Sequence, residues 1–544
     1  MKNGALSQPT NAEPPAKSRG SLFQDVGVNL ALLSLSAILF TGAFPNPLLI
    51  RGFAPLAFIA LVPIIPAIHR SGWIGVWFYG VFYGFVTYAL FNYWLANFHP
   101  LAIFIVPTIY AAYFFLVFPA LKLADTLFPR YGYLVQAGIW ISYELLRTKG
   151  YLGYAYGIIG YSQYEITPLI QIAEIGGVWV VSLLVVLPSL YLGNGLSRGW
   201  GGLRPFLKEH RRFPALYLLL FVGTIAYGLL SPVEYSGAPS WKVALIQQNV
   251  DPWVGGYRAY ENSFEALVRQ SDLALEENPD IVIWSETSFV PAIDYHTRYR
   301  GDQETYELVR RLTLYLQDKP VPFVIGNSDG QLVRNEAGEF ERVDYNAVLL
   351  HDDGEFSEPY RKIHLVPFTE HFPYERQLPW MYDLLVANNT NFWEKGNDWT
   401  VFNAGGVRFS TPICFEDTFG YLSRGFVNEG AEVIVNLTND SWSFSVPSAM
   451  QHMGMAVFRA VENRRTVVRS TNGGMTTTID PNGRIRGMLP AFTEAYMVDS
   501  VPVYTEKNTL YTRFGDWFAF LSLICSALLL LAGVVRRVVR RKAD

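Results

Sequence analysis

Seven apolar runs with almost no charge crowd the first 230 residues of this 544-residue chain, and an eighth nearly closes it. About 20 apolar residues are enough to cross a bilayer as a helix, which satisfies its own backbone hydrogen bonds there. The candidate spans are Val26 to Phe44, Phe53 to Ile68, Trp73 to Phe98, Leu101 to Leu121, Tyr131 to Leu146, Leu169 to Leu192, Phe213 to Leu230 and Trp517 to Val535. The second and fifth are short. The fifth also contains Glu144 and has a second reading as an interfacial or re-entrant segment.

Basic residues set the expected orientation. With the N-terminus inside, the inner segments hold Lys2, Lys17 and Arg19, then Arg70, then Lys122 and Arg130. Arg198, Arg204, Lys208, Arg211 and Arg212 follow, and Arg536, Arg537, Arg540, Arg541 and Lys542 end the series. The short outer loops hold only Arg51, Arg147 and Lys149. That asymmetry predicts both termini inside and the long polar region between spans seven and eight outside. The first run shows no small-residue cleavage site and is read as a retained anchor. The third is rich in glycine and aromatics, a composition suited to close helix packing or to a lipid-lined groove.

The expected organisation is a tail at 1–25, a seven-span membrane domain at 26–235, a polar domain at 238–510, the last span at 517–535 and a basic tail at 536–544. Only 17% of residues are charged, against about 25% in ordinary soluble domains, and the deficit lies in the apolar runs. A net charge of −4 gives no basis for a nucleic-acid partner.

From about Trp241 the pattern changes. KVALIQQN, DIVIWSE, VPFVIGN, DYNAVLLHDDG, VRFSTPICFED and AEVIVNLTND read as strands, with helical spacing over Tyr257 to Glu277 and Gln303 to Gln317. Alternating strands and helices predict an α/β sandwich. Three strands end in residues able to do chemistry: Glu286, Lys362 and Cys414. Strand ends project side chains into a shared crevice. Singly, each has a plain structural reading, as a first-turn carboxylate, a solvated lysine and a buried thiol. Cys414 and Cys525 are the only cysteines, too far apart in character for a disulfide framework. His364, His371 and His452 lack zinc-motif spacing, and no phosphate or dinucleotide loop is present, so neither metal nor cofactor is expected.

In combination, IVIWSETSF, YRKIHLVPFTEHFPYE and TPICFEDTFG resemble the Glu, Lys and Cys signatures of the carbon–nitrogen hydrolase (nitrilase) superfamily. The match continues through NLTNDSWSFSVPSAMQHMGMAVFRAVENRRTVVRSTNGGMTTTIDPNGR. The membrane half, in FAPLAFIALVPIIPAI and YELLRTKGYLGYAYGIIGYSQYEITPLIQIAEIGGVWVVSLLVV, resembles the apolipoprotein N-acyltransferase family. The resemblance implies an α-helical polytopic membrane domain of about eight spans plus an α/β nitrilase-like α-β-β-α sandwich. It also implies a bacterial cytoplasmic (inner) membrane location with the catalytic domain on the periplasmic side.

The implied reaction takes an acyl chain from a phospholipid, with phosphatidylethanolamine the expected donor, onto a cysteine thioester. The chain then passes to the α-amino group of the diacylglyceryl-cysteine of an apolipoprotein, with the enzyme expected as a monomer. Cys414 is the nucleophile, favoured as thiolate by a following helix and by Lys362. Glu286 is the general base, and Lys362 the oxyanion partner. Supporting roles fall to Glu370, Glu416, Asn346, Phe415, Trp253 and Trp442. Thr369 stands where the family usually has glycine, and Phe415 where tyrosine is often found. The aromatic stretches Phe372 to Trp399 and Asp440 to Pro447 are read as lids dipping toward the bilayer. Two other functions stand beside it: a membrane-tethered amidase or nitrilase using the same triad with water as acceptor, and a non-catalytic lipoprotein-binding scaffold with a dead nitrilase domain.

Overall fold

A computed structural model describes residues 19–98, 102–334, 338–387 and 392–543. Lys2 and Lys17 of the N-terminal tail, the first residue of the expected fourth span, Leu101, and the final Asp544 lie outside them.

Among the described residues, six helices are long and apolar enough to cross a membrane: Gln24–Ala43, Trp73–Phe91, Ala102–Leu127, Val178–Ser197, Arg212–Leu230 and Trp517–Lys542. The other two runs behave differently. The second is broken into a 3-10 turn, Ala54–Leu56, and two short helices, Ala57–Ala60 and Ile64–Arg70. Pro55 and Pro63 interrupt it, since proline removes a backbone donor and crowds the preceding turn. The fifth forms the 15-residue helix Gly132–Leu146, with Glu144 buried against the indole of Trp140 at 3.2 Å and the Ile159 nitrogen at 2.8 Å. The sixth run starts its long helix only at Val178, because Gly177 takes a φ of +71°. Gly80 and Gly84, two of the three glycines of the third run, have a packing reason. A β-carbon at either would strike the backbone carbonyls of Phe114 or Tyr110 on the next helix, so these two helices pack backbone to backbone.

The polar region folds as two stacked sheets. The first contains β1 (Ser240–Gln247), β2 (Ile281–Ile283), β3 (Phe323–Arg334), β4 (Phe340–Asp352), β5 (Glu355–Phe356) and β6 (Tyr360–Arg361). The second contains β7 (Val401–Ala404), β8 (Val407–Ser410), β9 (Val433–Thr438), β10 (Thr466–Thr471), β11 (Thr477–Ile479) and β12 (Ile485–Met488). A last strand, β13 (Ala495–Pro502), returns to the first sheet beside β1. The orders are β13-β1-β2-β3-β4-β5, with β6 on β4, and β12-β11-β10-β9-β8-β7. Val243, Leu245, Ile283, Phe409, Val433 and Val435 fill the space between the sheets.

Helices Tyr257–Leu275 and Gln303–Gln317 cover the outer face of the first sheet through Phe264, Leu267, Leu308 and Leu312. The helix on the other side, Val446–Asn463, is buried at every position from Pro447 to Asn463. A helix buried all round must be packed on both sides. Here its far side meets the membrane helices: Gln451 accepts from the Trp94 indole at 3.1 Å, and Arg459 donates to the Tyr161 hydroxyl at 3.0 Å. Arg464, which follows it, pairs with Glu174 at 2.7 Å. The two halves therefore share one continuous core.

Candidate active site

Each candidate catalytic side chain leaves the end of a strand. Glu286 follows β2 by three residues, in a turn pressed onto Gly326 of β3. A β-carbon at Gly326 would collide with the Ser285 carbonyl and sit 2.8 Å from the Glu286 α-carbon. Lys362 follows β6 directly, and its backbone nitrogen donates to the Asn346 carbonyl of β4 at 2.9 Å. Cys414 lies just beyond β8, after Ile413 bridges to Leu437 of β9. Its φ of +50° is rare for a residue with a side chain. Such a backbone costs roughly 1–2 kcal/mol and persists where surrounding structure enforces it.

The polar groups converge. The Lys362 ammonium lies 2.8 Å from Glu370 Oε1 and 3.3 Å from Glu286 Oε1. The Asn346 amide nitrogen reaches the same two oxygens at 3.4 and 2.8 Å. Glu370 Oε2 accepts from the Val366 nitrogen at 2.8 Å, fixing the carboxylate in its own turn. Burial opposes the Lys362 charge, but Glu370 and Glu286 outweigh it and hold the ammonium well above its usual pKa. Burial, with the nearby Glu370 charge, raises Glu286 against the pull of Lys362.

Cys414 differs from the sequence reading. Burial and then the Glu286 charge push its thiol well above its usual pKa, although Lys362 opposes them. The resting group is therefore the thiol, beside the Glu286 carboxyl group. The helix expected to favour a thiolate is split into a 3-10 turn, Cys414–Thr418, and the helix Gly420–Asn428.

Glu416 faces away from the cavity. Its two oxygens take four donors: the nitrogens of Ile363, His364 and Ile413 at 2.7, 2.9 and 2.7 Å, and the Tyr360 hydroxyl at 2.7 Å. Phe415 lies over Tyr156, with ring planes 14° apart, and lines the cavity. Trp442 lines it too, 5.5 Å from the Trp94 ring and 5.4 Å from Phe98. Trp253 does not line the cavity. It is 52% exposed and touches the rim through Phe98 at 5.3 Å. Thr369 does not carry the positive φ that a usual glycine suggests; the preceding Phe368 does, at +64°.

The cavity holds about 410 Å³. Cys414, Glu286, Asn346 and Glu370 form its polar floor, while Leu95, Ile105, Val106, Ile109 and Leu152 form much of the rest. The Cys414 thiol thus opens into an apolar chamber whose far wall belongs to the membrane helices.

The family descriptions match the two halves separately: the apolipoprotein N-acyltransferase N-terminal domain over residues 36–191, and carbon-nitrogen hydrolase over residues 242–507. Apolipoprotein N-acyltransferase 1 of Treponema denticola is 40% identical over 94% of this chain and 98% of its own length. The chain belongs to the apolipoprotein N-acyltransferase family. The enzyme of the same name from Treponema pallidum is 41% identical over 94% of this chain and 96% of its own. Among solved structures, an amidase from Nesterenkonia sp. aligns over 54% of this chain and 99% of its own, at 17% identity and a TM-score of 0.36. The protein is a bacterial membrane acyltransferase of lipoprotein N-acylation, and its substrates are lipoprotein and phospholipid.

Sequence reading missed one constellation in this acyltransferase. His452, read as a polar loop or supporting residue, lies inside the buried helix Val446–Asn463. Its ring nitrogens face Asp417 and Asp440, each at 2.8 Å. Arg469 of β10 donates to Asp417 and lies 3.5 Å from Asp440. Burial opposes the imidazolium, but the two aspartates outweigh it and push His452 up to about 9. Both Asp440 and His452 line the cavity. The signal was the charged pair in FEDTF and NDSWS, whose partners lie far off in sequence.

Proposed function

We propose that Cys414 carries the acyl group as a thioester between two half-reactions. Glu286 takes the thiol proton as sulfur attacks the ester carbonyl of a phospholipid, and Lys362 stabilises the resulting oxyanion. Collapse expels the lysophospholipid alkoxide, which takes the proton back from Glu286. The α-amino group of a diacylglyceryl-cysteine then attacks the thioester, gives its proton to Glu286, and Cys414 leaves as the thiol. Glu370 and Asn346 hold Lys362 and Glu286 in place, a positioning role consistent with their shared hydrogen bonds. Phosphatidylethanolamine is the donor, the enzyme works as a monomer, and all eight apolar runs cross or line the membrane. The sandwich then lies on the periplasmic side. The lysines and arginines of the inner segments support that orientation.

One observation carries this reading. Cys414 and its base open into an apolar cavity walled by membrane helices, as a lipid acyl donor requires and a water-soluble amide does not. The test incubates the detergent-purified protein with phosphatidylethanolamine labelled in its acyl chain. A hydroxylamine-sensitive adduct on Cys414 that passes to a diacylglyceryl-cysteine peptide, and is missing in Cys414→Ala, is the expected result. Absence of any adduct on folded protein would return the choice to amidase or scaffold.

A further inference from the structure

Behind the membrane-side wall of the cavity sits a charge that this chemistry does not use. Arg147, expected on an exposed outer loop, is only 1% exposed. Its Nη1 donates to the hydroxyls of Tyr88 at 2.5 Å and Tyr110 at 2.7 Å, and its Nη2 to the Tyr156 carbonyl at 2.8 Å. The guanidinium also lies 5.4, 5.2 and 5.5 Å from the ring centres of Tyr88, Tyr110 and Tyr143. An ionised side chain buried among membrane helices is costly, so its partners point to its task.

Those partners lead to the end of the cavity. Along the helix Ala102–Leu127, the residues lining it are Ala102, Ile105, Val106, Ile109 and Tyr110, one face at helical spacing. Phe98, just before this helix, contacts Trp442 of the catalytic half, so Ala102 marks the catalytic end. Tyr110 lies eight residues further, roughly 12 Å along the axis, and no later residue of the helix lines the cavity. Its ring cannot swing aside. It stacks on Tyr88 at 3.4 Å with planes 6° apart, its hydroxyl is held by Arg147, and Gly84 packs against its backbone.

We propose that Arg147 locks Tyr110 as the end stop of the cavity and so sets the longest acyl chain the enzyme transfers. The proposal rests on the reading of this cavity as the acyl site. Arg147 is a positioning residue here, and Tyr110 the surface the chain end meets.

The test measures transfer to a diacylglyceryl-cysteine peptide by the full chain in detergent, from phosphatidylethanolamines with saturated chains from lauroyl to arachidoyl. Removing the ring in Tyr110→Ala should raise the long-to-medium rate ratio about tenfold, the low end of what one methylene is worth in a hydrophobic pocket. Tyr110→Phe keeps the ring but frees it from Arg147, and should raise the ratio by less. Ile105→Trp fills the chamber short of the stop and should suppress the long donors selectively. An unchanged ratio in Tyr110→Ala, whether or not all rates fall, overturns the end stop while Ile105→Trp still suppresses long chains. If Ile105→Trp leaves every donor unaffected, the acyl-cavity reading itself is overturned.

Discussion

The backbone nitrogen of Ile363, beside Lys362, donates to Glu416, two residues past Cys414, at 2.7 Å. Through that bond, and the matching one from Ile413 at 2.7 Å, one carboxyl group ties the Lys362 turn to the Cys414 turn. All four partners of Glu416 are donors, so an amide in its place would turn hydrogens toward hydrogens. Glu416→Gln should reduce acyl-enzyme formation at least about 100-fold, comparable to losing one oxyanion donor. The cost in stability should be a few kcal/mol, since buried donors lose an acceptor. Rapid-quench acylation and thermal melting check the two effects. Near-normal acylation would mean that the tie does not set the geometry of the site.

Gly326 makes a second such contact. A β-carbon there meets the Ser285 carbonyl and the Glu286 α-carbon, both backbone and neither able to rotate away. Gly326→Ala should displace the Glu286 turn and cost about 1–3 kcal/mol, as overpacking does. Acylation should fall far more than stability, because a base needs hydrogen-bond reach of its proton. Transfer assays and melting on the same preparation separate the two. A stable, fully active Gly326→Ala would show that the turn has room to move.

The candidate catalytic residues stand out in the sequence because strand ends are legible. IVIWSE, YRK and TPIC each couple an apolar strand to one reactive side chain, and the sheet brings those ends together. The helix Gln303–Gln317 was readable to the residue from its periodicity. The membrane segments were less so, since hydropathy sees composition and not Pro55, Pro63 or the turn at Gly177. Arg147 and His452 were misread for a shared reason. The burial of a single basic residue cannot be read until its partners are known. Those of Arg147 come from two other helices and a loop, and those of His452 from the 3-10 turn Cys414–Thr418 and from just beyond β9.

The Asp417–His452–Asp440 arrangement predicts a pH dependence with a definite sign. The imidazolium is pushed up to about 9 in the folded protein, above its ordinary value near 6.5. Its contribution to stability is therefore fully present below about pH 6.5 and is lost as the pH rises through about 9, at up to about 1.4 kcal/mol per pH unit. Thermal melting in detergent from neutral pH to pH 9.5 should show the decline. His452→Gln should start lower and lose stability less steeply. A variant that melts with the wild-type slope would show that another group carries the dependence.

The stretch before Trp393 that the sequence marks as an irregular lid contains the nine-residue helix Pro379–Ala387. Trp380 is 61% exposed on it and lines no part of the cavity, whereas Val366 to Glu370 and Trp393, on either side of this stretch, do. Tyr151 of the membrane half donates to the His371 carbonyl and accepts from the Phe368 nitrogen, at 2.8 and 2.9 Å, so the residues leading into this stretch are tied to the membrane half. An exposed tryptophan in that setting suits the lipid interface, where its ring is half solvated. Trp380→Gln, alone or with Leu385→Gln, should raise the apparent KM for phospholipid in vesicles several-fold. The kcat and the melting temperature should change little, because the single substitution removes no buried contact. Kinetics with lipid as the varied substrate, run in vesicles and again in detergent micelles, make the comparison. The effect should shrink in micelles, where the donor no longer has to leave a bilayer. Equal KM changes in both would assign Trp380 to the folding of the lid and not to lipid uptake.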